Sequence, residues 1–308
     1  MISFKIIKRF EVGWMIFCIL AFVMQSARCY KPVILVHGVN ADGGALSDLE
    51  NYIKEASPGT NVTSLDIYDN LLSFVPLDKQ LPYFIEKVRA IMEQAPDGVH
   101  LICHSQGGLV CRGIIEMMSD HNVDTVITLS SPLLGQFGIP PSWEKYLPLL
   151  QNKTRDEVTK LVYTTIFQDI MSVANYWRDP RPEYFKEFEE ICRFLPLLDN
   201  NPKAANYDPK VAMSQKKSFL KIQRFVALGG PDDGVINPWQ SSIFAYLDED
   251  AENIVPMEKQ IAYIEDWFGL RSLNERGGVI RYPVPGIHHQ GWHRSKIIFE
   301  KYVNKWLR

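Results

Sequence analysis

Three groups of residues, far apart along the chain, have the types and surroundings that acyl chemistry requires. The first lies in Val99-His100-Leu101-Ile102-Cys103-His104-Ser105-Gln106-Gly107-Gly108-Leu109-Val110-Cys111. Its apolar start, 99–103, reads as a buried strand and 109–118 as an amphipathic helix, so only a sharp turn separates them. A serine on such a turn is lifted clear of the sheet, beside the N–H groups of a helix N-terminus, where negative charge is stabilised. Gly107 and Gly108 lack Cβ, which lets the helix pack close to the strand. The pentapeptide Cys103-His104-Ser105-Gln106-Gly107 departs from Gly-x-Ser-x-Gly only in opening with a small cysteine. The plainer alternative is an ordinary turn in which Ser105 caps the helix.

Serine alone is a weak nucleophile and needs a base within hydrogen-bond reach and an acid that orients the base. In serine hydrolases built on a parallel sheet the chain order is Ser, then Asp or Glu, then His. Of the seven histidines, only His288, His289 and His293 follow a loop that could carry the acid, Pro231-Asp232-Asp233-Gly234. Asp233 is the expected acid because Gly234 beside it lets the turn project the carboxylate inward, with Asp232 as runner-up; both could instead cap the turn. His289 is the expected base, since His293 falls at the start of the last helix and His288 sits one residue nearer the strand. Two backbone N–H groups would complete the site, that of Gln106 after the nucleophile and that of Val39 after the early His37-Gly38 turn.

The elements needed to bring these groups together are visible as patterns. The run 31–38 reads as a central parallel strand buried on both faces. Further strands are expected over 61–68, 124–130, 224–230 and 277–283, with helices over 79–93 and 295–307. Strand and helix alternate, which points to a parallel sheet with crossover helices. The expected class is α/β, an α/β-hydrolase fold with a mostly parallel sheet, helices on both faces and a helical cap insertion. Between about 133 and 222 the strand rhythm gives way to proline-punctuated helical pieces over 155–176, 183–194 and 209–220. An insertion there would sit over the C-terminal strand ends, where ligands bind in open sheets. Its aromatics, among them Tyr163, Phe167, Trp177, Tyr184 and Phe188, could face a cleft and hold an acyl chain, or could form the cap's own core.

Composition sets the frame for this reading. The 308 residues are 46% hydrophobic and 22% charged with a net charge of −3, a globular balance with no mark of nucleic-acid binding. Lys5, Lys8 and Arg9, the apolar run 12–23 and the small residues near Ala27 give the layout of a secretory signal, expected over 1–28 and followed by one domain over 29–308. The apolar run is shorter than the roughly 20 residues of a spanning helix, which argues against an uncleaved anchor, and no second apolar stretch approaches that length, so no integral membrane segment is expected after cleavage. Asn61-Val62-Thr63 and Asn152-Lys153-Thr154 are glycosylation acceptors, consistent with a lumenal surface. An oxidising compartment permits disulfides; Cys103 and Cys111 would clamp the nucleophile turn if bridged, or remain two buried thiols. No metal or organic cofactor is required by the proposed chemistry, and the expected state is a monomer or weak oligomer.

With these residues in place the chain resembles the palmitoyl-protein thioesterase family, and within it the lysosomal thioesterase branch. The resemblance rests on Val33-Ile34-Leu35-Val36-His37-Gly38, on His100-Leu101-Ile102-Cys103-His104-Ser105-Gln106-Gly107-Gly108, on Gly229-Gly230-Pro231-Asp232-Asp233-Gly234-Val235-Ile236-Asn237-Pro238-Trp239-Gln240-Ser241-Ser242, and on His288-His289 before Trp292. It implies Ser105 as nucleophile, Asp233 as acid, His289 as base, and hydrolysis of long-chain acyl thioesters in the lysosomal lumen, with secretion as the alternative destination. Cys103 in place of the opening glycine agrees with the branch associated with acyl-CoA-type substrates. That branch also implies a Cys103–Cys111 bridge. Two rival functions share these features: a lipase or esterase cleaving oxygen esters of lipids, and a non-catalytic lipid-binding module on a hydrolase fold.

Overall fold

The strand-like runs assemble into one wholly parallel sheet in the computed structural model, which describes residues 30–140, 150 and 152–308. The strands are β1 (Val33–Val36), β2 (Val62–Leu65), β3 (Val99–His104), β4 (Val123–Leu129), β5 (Arg224–Gly229), the short β6 (Tyr246–Leu247) and β7 (Ile254–Val255), and β8 (Val279–Pro283). Six of them pair in the order β2-β1-β3-β4-β5-β8, while β6 and β7 form a separate antiparallel pair. The register aligns Val36 with Cys103 and Cys103 with Thr128, so the tips of β1, β3 and β4 end side by side.

Successive side chains on a strand point to opposite faces, and this sheet is covered on both. Ile34, Val36, Leu101, Val126 and Phe225 pack on one face against α2 (Leu77–Met92) and α3 (Gly107–Met117). Val33, Leu35, Ile102, Ile127 and Val226 pack on the other against Leu49 and Ile53 of α1 (Ser47–Ala56) and against Trp292, Phe299 and Val303. This explains why the central strands read as unbroken apolar runs. Each fully buried Leu, Ile or Phe contributes about 1.5–3 kcal/mol.

Between β4 and β5 run α4 (Arg155–Val162), α5 (Thr165–Ile170), α6 (Pro182–Ile191), α7 (Leu195–Leu198) and α8 (Pro209–Phe219). The expected helix over 155–176 is broken into α4, α5 and a 3-10 turn, Ser172–Tyr176. Thr164 causes the first break: its hydroxyl donates to the Leu161 carbonyl at 2.8 Å and accepts from the Phe167 N–H at 3.4 Å, closing one helix and opening the next. Tyr163, Phe167, Tyr176, Trp177 and Phe188 are buried, so most of the aromatics in this segment form core. The last helix, α8, lies on α3 and continues the layer covering the sheet: Ser218 Oγ donates to the Met118 carbonyl at 2.9 Å. The C-terminal helical stretch 296–306 changes pitch, passing from α through π to 3-10 geometry rather than forming one regular helix. Residues Lys31–Arg308 cluster as one compact unit. The expected signal over 1–28, Cys18, Cys29 and the 141–149 part of the insertion lie outside the described residues.

Candidate active site

The site begins at the joint between β3 and α3. Ser105 sits there with φ of +55°, a left-handed conformation that costs on the order of 1–3 kcal/mol for a residue with a Cβ and persists only under tight constraint. The constraint is packing against the tip of β1. A Cβ on Gly38 would lie 2.6 Å from Ser105 Cβ, and one on Gly107 would lie 2.5 Å from the His37 carbonyl oxygen. Both glycines are thus required by the close approach of the two turns. A disulfide joins Cys103 at the end of β3 to Cys111 on α3, with Cα atoms 6.6 Å apart, and so closes the chain around Ser105.

The loops after β5 and β8 bring a carboxylate and an imidazole to this serine. His289 Nε2 lies 2.9 Å from Ser105 Oγ, and His289 Nδ1 lies 3.0 and 2.9 Å from the two carboxylate oxygens of Asp233. With the carboxylate as acceptor, Nδ1 carries the proton and Nε2 is free to accept from the serine hydroxyl. The backbone reinforces this pairing, since the His289 N–H donates to the Asp233 carbonyl at 2.9 Å. Ser105, Asp233 and His289 are all buried.

Asp233 is held by more than the imidazole. Its carboxylate accepts from the Ser130 hydroxyl at 2.6 Å, from Trp292 Nε1–H at 2.8 Å, and from the N–H groups of Val235 and Ile236 at 3.0 and 2.8 Å. Burial opposes its charge, but His289, Ser130 and the Ile236 N–H outweigh burial and hold the carboxyl well below the usual carboxylate range. Asp232 points elsewhere: it is exposed and accepts the Gly286 N–H at 2.7 Å, the work of a turn cap. His288 is also exposed, with Nδ1 3.1 Å from the Asp232 carbonyl. His293 is buried, its ring donating to Gln290 Oε1 at 3.1 Å, and burial followed by the neighbouring Arg294 and His289 pushes it down to about 4.

His104, which the sequence pattern does not mark as a site residue, supports the loop that carries His289. Its Nε2–H donates to the His289 carbonyl at 3.0 Å, and its ring lies tilted 4.7 Å from that of His289 and edge-on 4.6 Å from that of His293. Burial, followed by the two neighbouring imidazoles, holds His104 well below the usual histidine range, so it remains a neutral support beneath the loop. The N–H groups of Val39 and Gln106 donate to no protein acceptor among the described residues. Asn61 and Asn152 are both exposed. Among the described residues no group of three or more His, Cys, Asp or Glu is placed to hold a metal ion.

Sheet order, elbow and loop positions define an α/β-hydrolase. A structure described as an aryl esterase from Burkholderia cenocepacia shares the fold, with a TM-score of 0.50 at 13% identity over 91% of this chain and 90% of that one. The palmitoyl protein thioesterase family matches residues 32–289, and the chain belongs to that family. Lysosomal thioesterase PPT2-B of Xenopus laevis is 41% identical over 286 residues, 92% of this chain and 95% of its own length. Lysosomal thioesterase PPT2 of Homo sapiens is 42% identical over 278 residues, 90% of this chain and 88% of its own. The Drosophila melanogaster homolog is 33% identical over 279 residues, 90% of this chain and 92% of its own. As a family member, this chain is an enzyme of the thioester-hydrolase class.

Proposed function

We propose that this protein hydrolyses long-chain fatty acyl thioesters of the palmitoyl-CoA type through Ser105, His289 and Asp233, in the lysosomal lumen. The observation that carries the mechanism is the continuous hydrogen-bond chain from Ser105 Oγ through His289 to Asp233 in a member of a thioesterase family. Ser105 Oγ attacks the thioester carbonyl while its proton passes to His289 Nε2. Asp233 stabilises the resulting imidazolium and keeps it oriented. The N–H groups of Val39 and Gln106 receive the oxyanion of the tetrahedral intermediate. The C–S bond then breaks and thiol leaves. A thiol with pKa near 8.5 departs more readily than an alcohol, so the proton on His289 matters less at this step than in ester cleavage. Water attacks the acyl-serine with His289 again as base, releasing fatty acid and restoring Ser105.

The lumenal setting is supported by relatives named lysosomal, by two exposed acceptor asparagines and by the Cys103–Cys111 disulfide. The signal over 1–28 belongs to the same proposal. The test is purified protein assayed side by side on palmitoyl-CoA, an S-palmitoylated peptide and a matched oxygen ester. Rapid release of CoA, lost in Ser105→Ala, is the expected result. Preference for the oxygen ester, or turnover surviving Ser105→Ala, would contradict it.

A further inference from the structure

Both backbone donors assigned to the oxyanion lie on turns, and a single residue outside either turn is hydrogen-bonded to a neighbouring group of each, the Asn40 N–H and the Gln106 side chain. Ser73 is buried in the 3-10 turn Asn70–Phe74. Its hydroxyl oxygen accepts the Asn40 N–H at 2.6 Å, in the turn that carries Val39. Its carbonyl accepts Gln106 Nε2 at 2.8 Å, from the residue after the nucleophile. Ser105, with φ of +55°, holds a backbone geometry that needs external support, and Asn40, with φ of +52°, is in the same left-handed region, which asparagine adopts readily. The Ser73 carbonyl also takes Gln80 Nε2 at 2.9 Å from α2, and the Ser73 hydroxyl is bonded to the Asn70 carbonyl.

The segment inserted between β4 and β5 reaches the same point. Ser172 Oγ lies 2.7 Å from Gln106 Oε1 and 3.1 Å from the Ser73 carbonyl. Ser73, Gln80, Gln106 and Ser172 are all buried, where an unsatisfied polar group is costly, so displacing any one of them leaves a partner short of a hydrogen bond. Such donors contribute most when already aimed at the developing charge, and displacement by about 1 Å can cost on the order of 100-fold in rate.

We propose that Ser73 is a positioning residue that sets the spacing of the Val39 and Gln106 N–H groups, with Ser172 bracing the same unit from the inserted segment. The proposal rests on the reading of Ser105 as nucleophile. The test measures kcat and KM on palmitoyl-CoA per active site, with sites counted by exhaustive labelling with a fluorophosphonate. Ser73→Ala should lower kcat about tenfold or more while KM stays within about twofold, because the defect appears at the tetrahedral intermediate. Ser73→Thr, which keeps the hydroxyl, should recover most of the rate, and Ser172→Ala should lower kcat about threefold or more in the same pattern. The rate of labelling should fall in parallel, since phosphonylation develops charge at the same donors. Unchanged kcat per site in both alanine variants, or a loss confined to KM, would overturn the proposal. Wild-type protein that labels at Ser105 yet leaves palmitoyl-CoA intact would instead count against the thioesterase reading, and the labelling-rate comparison would still decide the role of Ser73.

Discussion

Asp233 concentrates more hydrogen bonds than any other residue in the site, and their number explains why it can stay ionised while buried. Two carboxylate oxygens accept from an imidazole, a hydroxyl, an indole and two backbone amides. Asp233→Asn keeps the shape but places an amide against His289 Nδ1, which favours the wrong tautomer. It is expected to lower kcat by about 10³–10⁴-fold, measured on the same thioester, with little change in fold by circular dichroism. An unchanged kcat would remove Asp233 from the mechanism. Ser105, Asp233 and His289 could be selected from sequence because chain order and turn residues prune the candidates. Ser130 and Ser73 could not, because each reaches the site from another strand end or a distant turn; His104 and Trp292 are chain neighbours of Ser105 and His289, but their contacts cross to the opposite loop, and no local spacing records that.

At the level of elements, α3 does two jobs. Its N-terminus presents Ser105 and its buried side carries Arg112, which is fully enclosed and donates to Glu116 and Asp199 at 3.0 Å each, as well as to the carbonyls of Leu133 and Leu198. The helix that follows Ser105 is thereby tied to the start of the inserted segment at Leu133 and to α7 at Leu198 and the adjoining Asp199. Burial pushes the Glu116 carboxyl up to about 8 even with Arg112 pulling it down, so removing the guanidinium leaves two carboxyl groups without their partner. Arg112→Ala is expected to cost about 3–5 kcal/mol in urea unfolding, far more than truncating an exposed arginine. Opening the Cys103–Cys111 bridge by Cys111→Ala should remove about 2–4 kcal/mol by the same measurement. Unfolding midpoints matching wild type would show that neither tie holds α3. Long periodic elements such as α2 and α3, and all six strands of the parallel sheet, were readable from sequence. The missed pieces, α1, the β6–β7 pair and the short helices Ile261–Ile264 and Leu270–Glu275, offer too few residues for a period to emerge, or owe their shape to packing on a finished sheet.

For the whole molecule, the proposed acidic compartment and the buried histidines pull in opposite directions. His100 is 2% exposed with neither ring nitrogen hydrogen-bonded and Nδ1 3.9 Å from Asp124 Oδ1, and burial outweighs that carboxylate and pushes it down to about 4; His293 is pushed down to the same range, also mainly by burial. An unfolded histidine titrates at about 6.5, so between that value and about 4 the unfolded chain binds more protons than the folded one. Stability from these groups is therefore complete above about pH 6.5 and declines as pH falls toward 4, by up to roughly 3 kcal/mol for each. Unfolding midpoints recorded across that range should fall, and His100→Leu should flatten the slope; a midpoint independent of pH would contradict this. The catalytic account depends on a covalent step at one residue. Its most direct test is an acid-quenched reaction of the purified protein with palmitoyl-CoA, followed by peptide mass spectrometry. The account requires a transient palmitoyl ester on the peptide containing Ser105, absent in Ser105→Ala and formed no more slowly than CoA is released. Turnover of palmitoyl-CoA with no acyl group ever appearing on Ser105, or with the group on another side chain, would contradict it.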